Sequence, residues 1–341
     1  MPESAVLTPA VSPAWPAAGS RSVTPAAILS VAIELPPDRL TSADLAEQLG
    51  VTEEWIVART GIRERRRARH DERLSDYATR AGAAALHAAG VDAAQLDLVI
   101  VATLSQDELT PNTAPIVAHN LGAHRAGAFD VGAACTAFLT ALAQGTAQIE
   151  SGRAEHVLVV GADFVTRLVD YTDKRSAPLF ADAAGAVILG PGDAQRGSIG
   201  PIVLGADGSH AGTLFATIAE RKVRMDGPEV FRHAVARMSE VTVDAVARAG
   251  LTLPDIDLFV FHQANARITR ALAERLALEP GRVVECIELI GNASAATLPI
   301  GLAAALSDGR LRPGSRVLLA AFGAGFVWGG GVIEWGAVRD G

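Results

Sequence analysis

The sequence predicts a layered α/β protein made of two similar halves, and three observations carry that prediction. Short apolar runs alternate with Ala-rich stretches, a helix-stop-strand pattern recurs at a fixed distance, and the composition is apolar yet poor in aromatics. Of 341 residues, 49% are hydrophobic, only 5% are aromatic and 33 are glycine. That supplies a sizeable core packed through small residues rather than aromatic clusters.

The apolar runs at 96–101, 156–160, 185–189, 258–261, 317–320 and 332–335 read as buried strands. Between them, 76–89, 137–149 and 231–249 are long enough to form helices that cover a sheet. The repeat is visible at this level. Ala89-Gly90 followed by the run 96–101 returns 160 positions later as Ala249-Gly250 followed by 256–261. The run 157–159 returns as 317–319 at the same offset of 160. An offset this long is not a solenoid period and predicts two half-domains, 24–195 and 196–341, joined near the Gly/Pro-rich stretch 190–200. The alternative is a chance likeness of helix-Gly-strand patterns. Residues 1–23, rich in Pro, Ala and Ser, read as a flexible extension outside the fold.

The bulk numbers exclude several classes. A formal net charge of −8 argues against a general nucleic-acid or membrane-surface binder, which needs a dominant basic face. No apolar run reaches membrane-spanning length, and residues 1–23 lack the pattern of a secretory signal. With only Cys135 and Cys286 in the chain, a disulfide framework is not expected, and a reduced cytoplasmic setting is.

Four segments carry candidate chemistry. In 127–138 a short strand around Phe129-Asp130-Val131 leads through small residues to Cys135, which opens an Ala-rich helix. Amides at a helix start favour negative charge, so the expectation is a lowered thiol pKa and a raised thiolate fraction. A cysteine among alanines also fits a small core residue. His262 follows the run 258–261 and precedes a helix, where an imidazole could transfer a proton or polarise a carbonyl. Asn292 lies after 289–290, read as a further strand, and before another Ala-rich helix. Cys135 is offset by 160 from Ala295, so Asn292 is expected to face the same cleft and donate to an oxyanion, with a helix cap as the alternative. The Gly-rich segment 321–331 reads as a turn whose amides could complete an oxyanion hole. No HxH, HxxxH or CxxC spacing is present, so a metal site is not expected.

Taken together, FDVGAACTAF, FHQANARI, GNASAA and FGAGFVWGGG, with TEEWIVARTGIRER, FADAAGAVIL and MDGPEVF, closely resemble the β-ketoacyl-acyl carrier protein synthase III family of the thiolase superfamily. The resemblance spans 24–341 and implies the thiolase fold, a duplicated five-layered αβαβα arrangement. It implies that acyl-CoA acylates Cys135 and that His262 and Asn292 then assist decarboxylation of malonyl-acyl carrier protein. The resulting carbanion condenses with the acyl group to begin a fatty acid.

The resemblance also assigns the oxyanion hole to the backbone amides of Cys135 and Ala324, the latter at a position where the family often has Gly. Coenzyme A contacts carry over to Trp55, Arg59 and Lys174, and docking of the acidic carrier protein to Arg232, Arg267 and Arg270. Lys174 stands where the family has Arg, and Pro228 replaces an Asn. Thr110 takes the place of a Phe that a partner subunit contributes to the acyl pocket floor, which implies room for longer or branched primers. A homodimer is implied as well, with no cofactor beyond the coenzyme A thioester that enters as substrate. Relatives of the same fold instead start polyketides or transfer acyl groups without forming a carbon-carbon bond, and this is the alternative reading.

Overall fold

The structure, a computed structural model, describes residues 24–337. The extension 1–23 lies outside the described residues. Two mixed sheets form the body. The first orders its strands as Ala26–Glu34, Asp182–Pro191, Val157–Phe164, Leu98–Ala102 and Gly127–Val131. The second runs Gly197–Ala206, Val327–Trp335, Arg316–Gly323 and Leu258–Phe261. Both follow one plan: the first two pairings are antiparallel and the next is parallel. The fifth position of the second sheet is reduced to a parallel bridge between Phe259 and Val283.

The offset of 160 holds in atomic detail. Leu98 lies opposite Val157, and Leu258 opposite Val317. Asp97 accepts from the His156 amide at 3.1 Å, and Asp257 from the Arg316 amide at 2.8 Å. Both covering helices, Leu74–Ala89 and Gly227–Arg248, are followed by a left-handed glycine, Gly90 at φ +64° and Gly250 at φ +72°. Only a residue without Cβ adopts that conformation freely, so the sequence marks both stops.

Strand alternation builds the layers. In Val157–Phe164, Val157 and Val159 face a central core with Leu139 and Leu142 of helix Ala137–Glu150 and with Leu298 and Leu302 of helix Thr297–Ser307. Leu158 and Val160 face the outer layer, with Tyr77, Ala81 and Val117. In Arg316–Gly323, Val317 and Leu319 join the central core, whereas Leu318 and Ala320 pack under Met238, Val241 and Leu272. Helices Ala137–Glu150 and Thr297–Ser307 are therefore sandwiched between the sheets, and outer helices complete five layers.

Two local readings are corrected. Residues 287–290 form a short helix, Ile287–Ile290, not a strand. Only Ile287 is buried there, and Leu289 is 55% exposed, because extended pairing is delayed to the Phe180–Asn292 bridge. A short apolar run does not distinguish the two conformations by period. The segment 321–331 is mostly strand, with its turn confined to 324–326. Its glycines serve packing: a Cβ on Gly329 would lie 2.8 Å from Leu204 and 3.3 Å from Thr136, and one on Gly330 3.2 Å from the Val241 carbonyl.

The chain crosses between halves after Pro191 and enters the second sheet at Gly197. At the centre, the end of each inner strand abuts the turn before the other half's buried helix. Gly161 permits one such approach, since its Cβ would collide with the Ala295 carbonyl oxygen. Gly161→Ala is expected to destabilise the protein by about 1–3 kcal/mol through overpacking, read as a lowered denaturant midpoint. Gly208→Ala, where a Cβ meets nothing within 4 Å, serves as the control and leaves the midpoint in place.

Candidate active site

Cys135 sits in a 3-10 turn, Ala134–Thr136, that feeds directly into helix Ala137–Glu150. The turn has a counterpart 160 positions on, Ser294–Ala296, which feeds helix Thr297–Ser307. Ala134 and Ser294, at matching positions, both have left-handed backbones with φ +45° and φ +49°. Non-glycine residues rarely adopt this conformation, and the shared strain marks both turns as held by their surroundings.

His262 follows strand Leu258–Phe261, and its amide donates to the Ala320 carbonyl at 2.8 Å. The next residue, Gln263, clamps the chain beneath it. Its amide group donates to the Phe261 and Val284 carbonyls at 2.8 and 3.1 Å and accepts from the Cys286 amide at 3.0 Å. His262 Nδ1 lies 2.6 Å from the Thr297 hydroxyl, which is 3.0 Å from the Ser294 carbonyl. The ring is thereby anchored on one nitrogen, and Nε2 is left for the cavity.

Asn292 is fixed in the same manner. Its amide donates to the Leu179 carbonyl and its carbonyl accepts from Ala181, both at 2.9 Å. Its side-chain Oδ1 accepts from the Ser294 amide at 2.9 Å, so the acceptor end is committed and Nδ2 remains as a donor.

These three residues, with Phe322 and Gly323, line the inner part of a cavity of about 530 Å³. Its mouth carries Trp55, Arg59, Lys174 and Arg267. The Arg59 guanidinium lies 4.1 Å from the Trp55 ring centroid, a cation–π pair across the rim. The lining combines apolar walls with a few fixed polar groups, the usual construction of a small-molecule site.

The electrostatics of the inner site come from burial. His262 is 2% exposed, and burial pushes its pKa down to about 3, so the ring is neutral across the physiological range. Burial also pushes the Cys135 thiol up to about 11; the nearby Asp163 carboxylate adds to that rise, while the Ser294 hydroxyl and the Cys135 amide oppose it. The expectation of a lowered thiol pKa is therefore overturned. Desolvation of the thiolate outweighs the amides at the start of the helix.

The remaining sequence-derived candidates are dispersed. Arg267 and Arg270 are both exposed on helix Ala266–Arg275. Arg232 is exposed on Gly227–Arg248 but shares its charge with Glu229. Ala324 is half-buried in the turn next to Gly323. Thr110 is exposed and is not among the residues lining the cavity. Arg65, within the Arg-rich run 63–69, is fully buried and donates to the carbonyls of Leu40 and Pro178, the latter in the cavity wall.

Four further residues escaped the sequence reading. Asn265 caps helix Ala266–Arg275 through its contact with the Arg267 amide at 2.9 Å and donates to the Arg59 carbonyl at 3.0 Å, joining the rim to the His262 loop. An Asn directly before a helix was the available signal. Gln263, Thr297 and Asp163 act through tertiary contacts that no local pattern marks.

The comparisons agree with this arrangement. Residues 129–208 match the family 3-Oxoacyl-[acyl-carrier-protein (ACP)] synthase III, and 246–335 match its C-terminal part. A β-ketoacyl-[acyl-carrier-protein] synthase III of Symbiobacterium thermophilum is 42% identical, covering 92% of this chain and 99% of that protein. The crystal structure of a 3-oxoacyl-(acyl carrier protein) synthase III from Pseudomonas aeruginosa superposes with TM-score 0.88 at 39% identity, covering 92% and 99% of the two chains. The priming β-ketosynthase of the R1128 polyketide pathway gives TM-score 0.90 at 36% identity, covering 95% and 100%. With a relative of this identity spanning nearly its whole length, a duplicated five-layered fold and a Cys, His and Asn gathered in one cavity, the chain belongs to the 3-oxoacyl-acyl carrier protein synthase III family.

Proposed function

We propose that the chain catalyses decarboxylative Claisen condensation, with acyl-CoA as primer donor and malonyl-acyl carrier protein as extender. The observation that carries this reading is the convergence of Cys135, His262 and Asn292 on one cavity with a cationic, aromatic rim. In the first half-reaction Cys135 Sγ attacks the acyl-CoA carbonyl. The tetrahedral oxyanion is held by the amides of Cys135 and Ala324, and coenzyme A departs with the thiol proton. Trp55, Arg59 and Lys174 hold the nucleotide end at the rim.

In the second half-reaction malonyl-acyl carrier protein enters, guided by Arg232, Arg267 and Arg270. Loss of carbon dioxide moves the bond electrons onto the thioester oxygen, where His262 Nε2–H and Asn292 Nδ2–H stabilise the enolate. The Thr297 hydroxyl carries a single proton, which points at the Ser294 carbonyl at 3.0 Å when Nδ1 is the ring's donor; this step requires the other tautomer, in which the hydroxyl turns to donate to Nδ1, 2.6 Å away. A neutral imidazole suits this step, because a protonated ring would tend to quench the carbanion. The carbanion attacks the acyl-Cys135 thioester, the thiolate leaves and is reprotonated, and β-ketoacyl-carrier protein is released. No cofactor beyond the coenzyme A thioester enters this scheme.

Asn292 favours condensation over simple acyl transfer, since transfer forms no enolate. The exposed edge strand Gly127–Val131, with Phe129 38% exposed, and Leu109 next to Thr110, 76% exposed, support a homodimer in which the partner's Thr110 loop reaches the acyl end of the cavity. Among the described residues no helix is long and apolar enough to cross a membrane, which is compatible with a cytoplasmic enzyme.

Intact mass after incubation with a panel of acyl-CoAs should show one acyl adduct, with straight primers longer than acetyl and branched primers also accepted. Cys135→Ser should show none. Adduct formation from acetyl-CoA alone would remove the wide-pocket reading, and an unchanged adduct on Cys135→Ser would remove the thioester mechanism. The pH dependence follows from the raised thiol pKa: below about 11 the thiolate is the minor form and grows about tenfold per pH unit. Alkylation of Cys135 by iodoacetamide should therefore climb steadily from pH 7 to 10 without a plateau, whereas a plateau near pH 7 would indicate an activated thiolate. The neutral His262 adds no inflection between pH 5 and 9.

A further inference from the structure

The internal repeat relates Cys135 to Ala295 and Asp163 to Gly323, each pair 160 positions apart. The two pairs meet crosswise. Asp163, near the end of strand Val157–Phe164, faces the second half's turn, and its Oδ2 accepts from the Ala295 amide at 3.2 Å. Gly323, at the end of strand Arg316–Gly323, faces the first half's turn, where a Cβ would lie 2.8 Å from the Cys135 amide nitrogen. One turn amide is thus capped by a carboxylate, and its counterpart faces a glycine.

Asp163 is built to serve as that cap. It is fully buried, and its Oδ1 accepts from the Leu104 amide at 2.8 Å, the Ser105 hydroxyl at 2.8 Å and the Thr103 hydroxyl at 3.1 Å. The two hydroxyls already accept from the Phe164 and Ser105 amides, so their protons are directed at the carboxylate. Backbone amides from different halves of the chain therefore bind opposite oxygens of one carboxylate. The turn it holds lies immediately after Asn292, whose Oδ1 is fixed by the amide of Ser294 in that turn.

The geometry points to a division of labour within the repeat. Asp163 is a positioning residue that locks the Asn292 turn for the decarboxylation step, and Gly323 is the position that keeps the Cys135 amide open for the oxyanion of the acylation step. The inference rests on the condensation reading above, and it assigns the two half-reactions to two different members of one symmetry-related pair. Burial pushes the Asp163 carboxyl up while the amides and hydroxyls around it favour the charged form; in that form it adds to the rise that burial gives the Cys135 thiol.

Two variants test it, each assayed separately for acyl-Cys135 formation from acyl-CoA and for carbon dioxide release from malonyl-carrier protein. In Asp163→Asn the side chain offers one acceptor oxygen where two opposed backbone amides need one each, so one N–H faces an NH2 group. Decarboxylation should fall about 10- to 100-fold more than acylation, the scale expected for misplacing a positioned donor. Gly323→Ala should give the opposite split, with acylation falling more than decarboxylation, and it decides the matter if Asp163→Asn does not fold. Equal loss of both half-reactions in either folded variant overturns the inference. If the wild-type protein neither acquires an acyl group nor releases carbon dioxide, the condensation reading itself has failed.

Discussion

The site depends on a reciprocal close approach: the end of each half's inner strand lies against the turn that opens the other half's buried helix. Gly161 meets Ala295 and Gly323 meets Cys135 across the centre of the molecule, at separations that leave no room for a Cβ. Neither half could bring its functional turn to a defined position alone. Cys135 belongs to the first half, while His262, Asn292 and Thr297 belong to the second. The cavity into which the catalytic candidates open is therefore a product of duplication and docking: the backbone of Asn292 and the amide of Ala295 are anchored across the seam, whereas His262 and Gln263 are anchored within the second half.

The second constraint is burial. A half-buried thiol and a buried imidazole both favour their neutral forms, which pushes Cys135 up to about 11 and His262 down to about 3. A neutral imidazole is compatible with holding an enolate oxygen without delivering a proton to carbon. A neutral thiol requires acylation to draw its thiolate from a small fraction, with the Cys135 amide and Ser294 as opposing influences. The site accordingly gains a proton-poor environment for the carbanion at the expense of resting nucleophilicity.

Much of this was legible in the sequence. Strand and helix positions followed from apolar runs and Ala-rich stretches, and the offset of 160 carried the duplication down to paired aspartates and paired left-handed glycines. Cys135, His262 and Asn292 were visible as polar residues at element junctions. The thiol pKa was misread because helix-start amides are a local feature, whereas desolvation depends on the whole tertiary environment. The 287–290 helix was missed because four apolar-to-charged residues carry no decisive period. Thr297, Gln263 and Asp163 matter through partners between 21 and 132 positions away, a range at which sequence spacing conveys no contact. Nothing in the Arg-rich run 63–69 marks Arg65 as buried; its partners, the carbonyls of Leu40 and Pro178 and the Ser42 hydroxyl, are distant in sequence.

In the proposed reaction Cys135 of the first half carries the acyl group and His262 and Asn292 of the second carry decarboxylation, each turn being held by a strand of the other half. The most direct measurement is the pair of half-reaction rates in Cys135→Ala and Asn292→Ala, each against the wild type. The account predicts that Cys135→Ala abolishes acyl-enzyme formation yet still releases carbon dioxide from malonyl-carrier protein. It predicts that Asn292→Ala still becomes acylated but loses about 100-fold or more in carbon dioxide release. Loss of decarboxylation in Cys135→Ala with full retention in Asn292→Ala would contradict it.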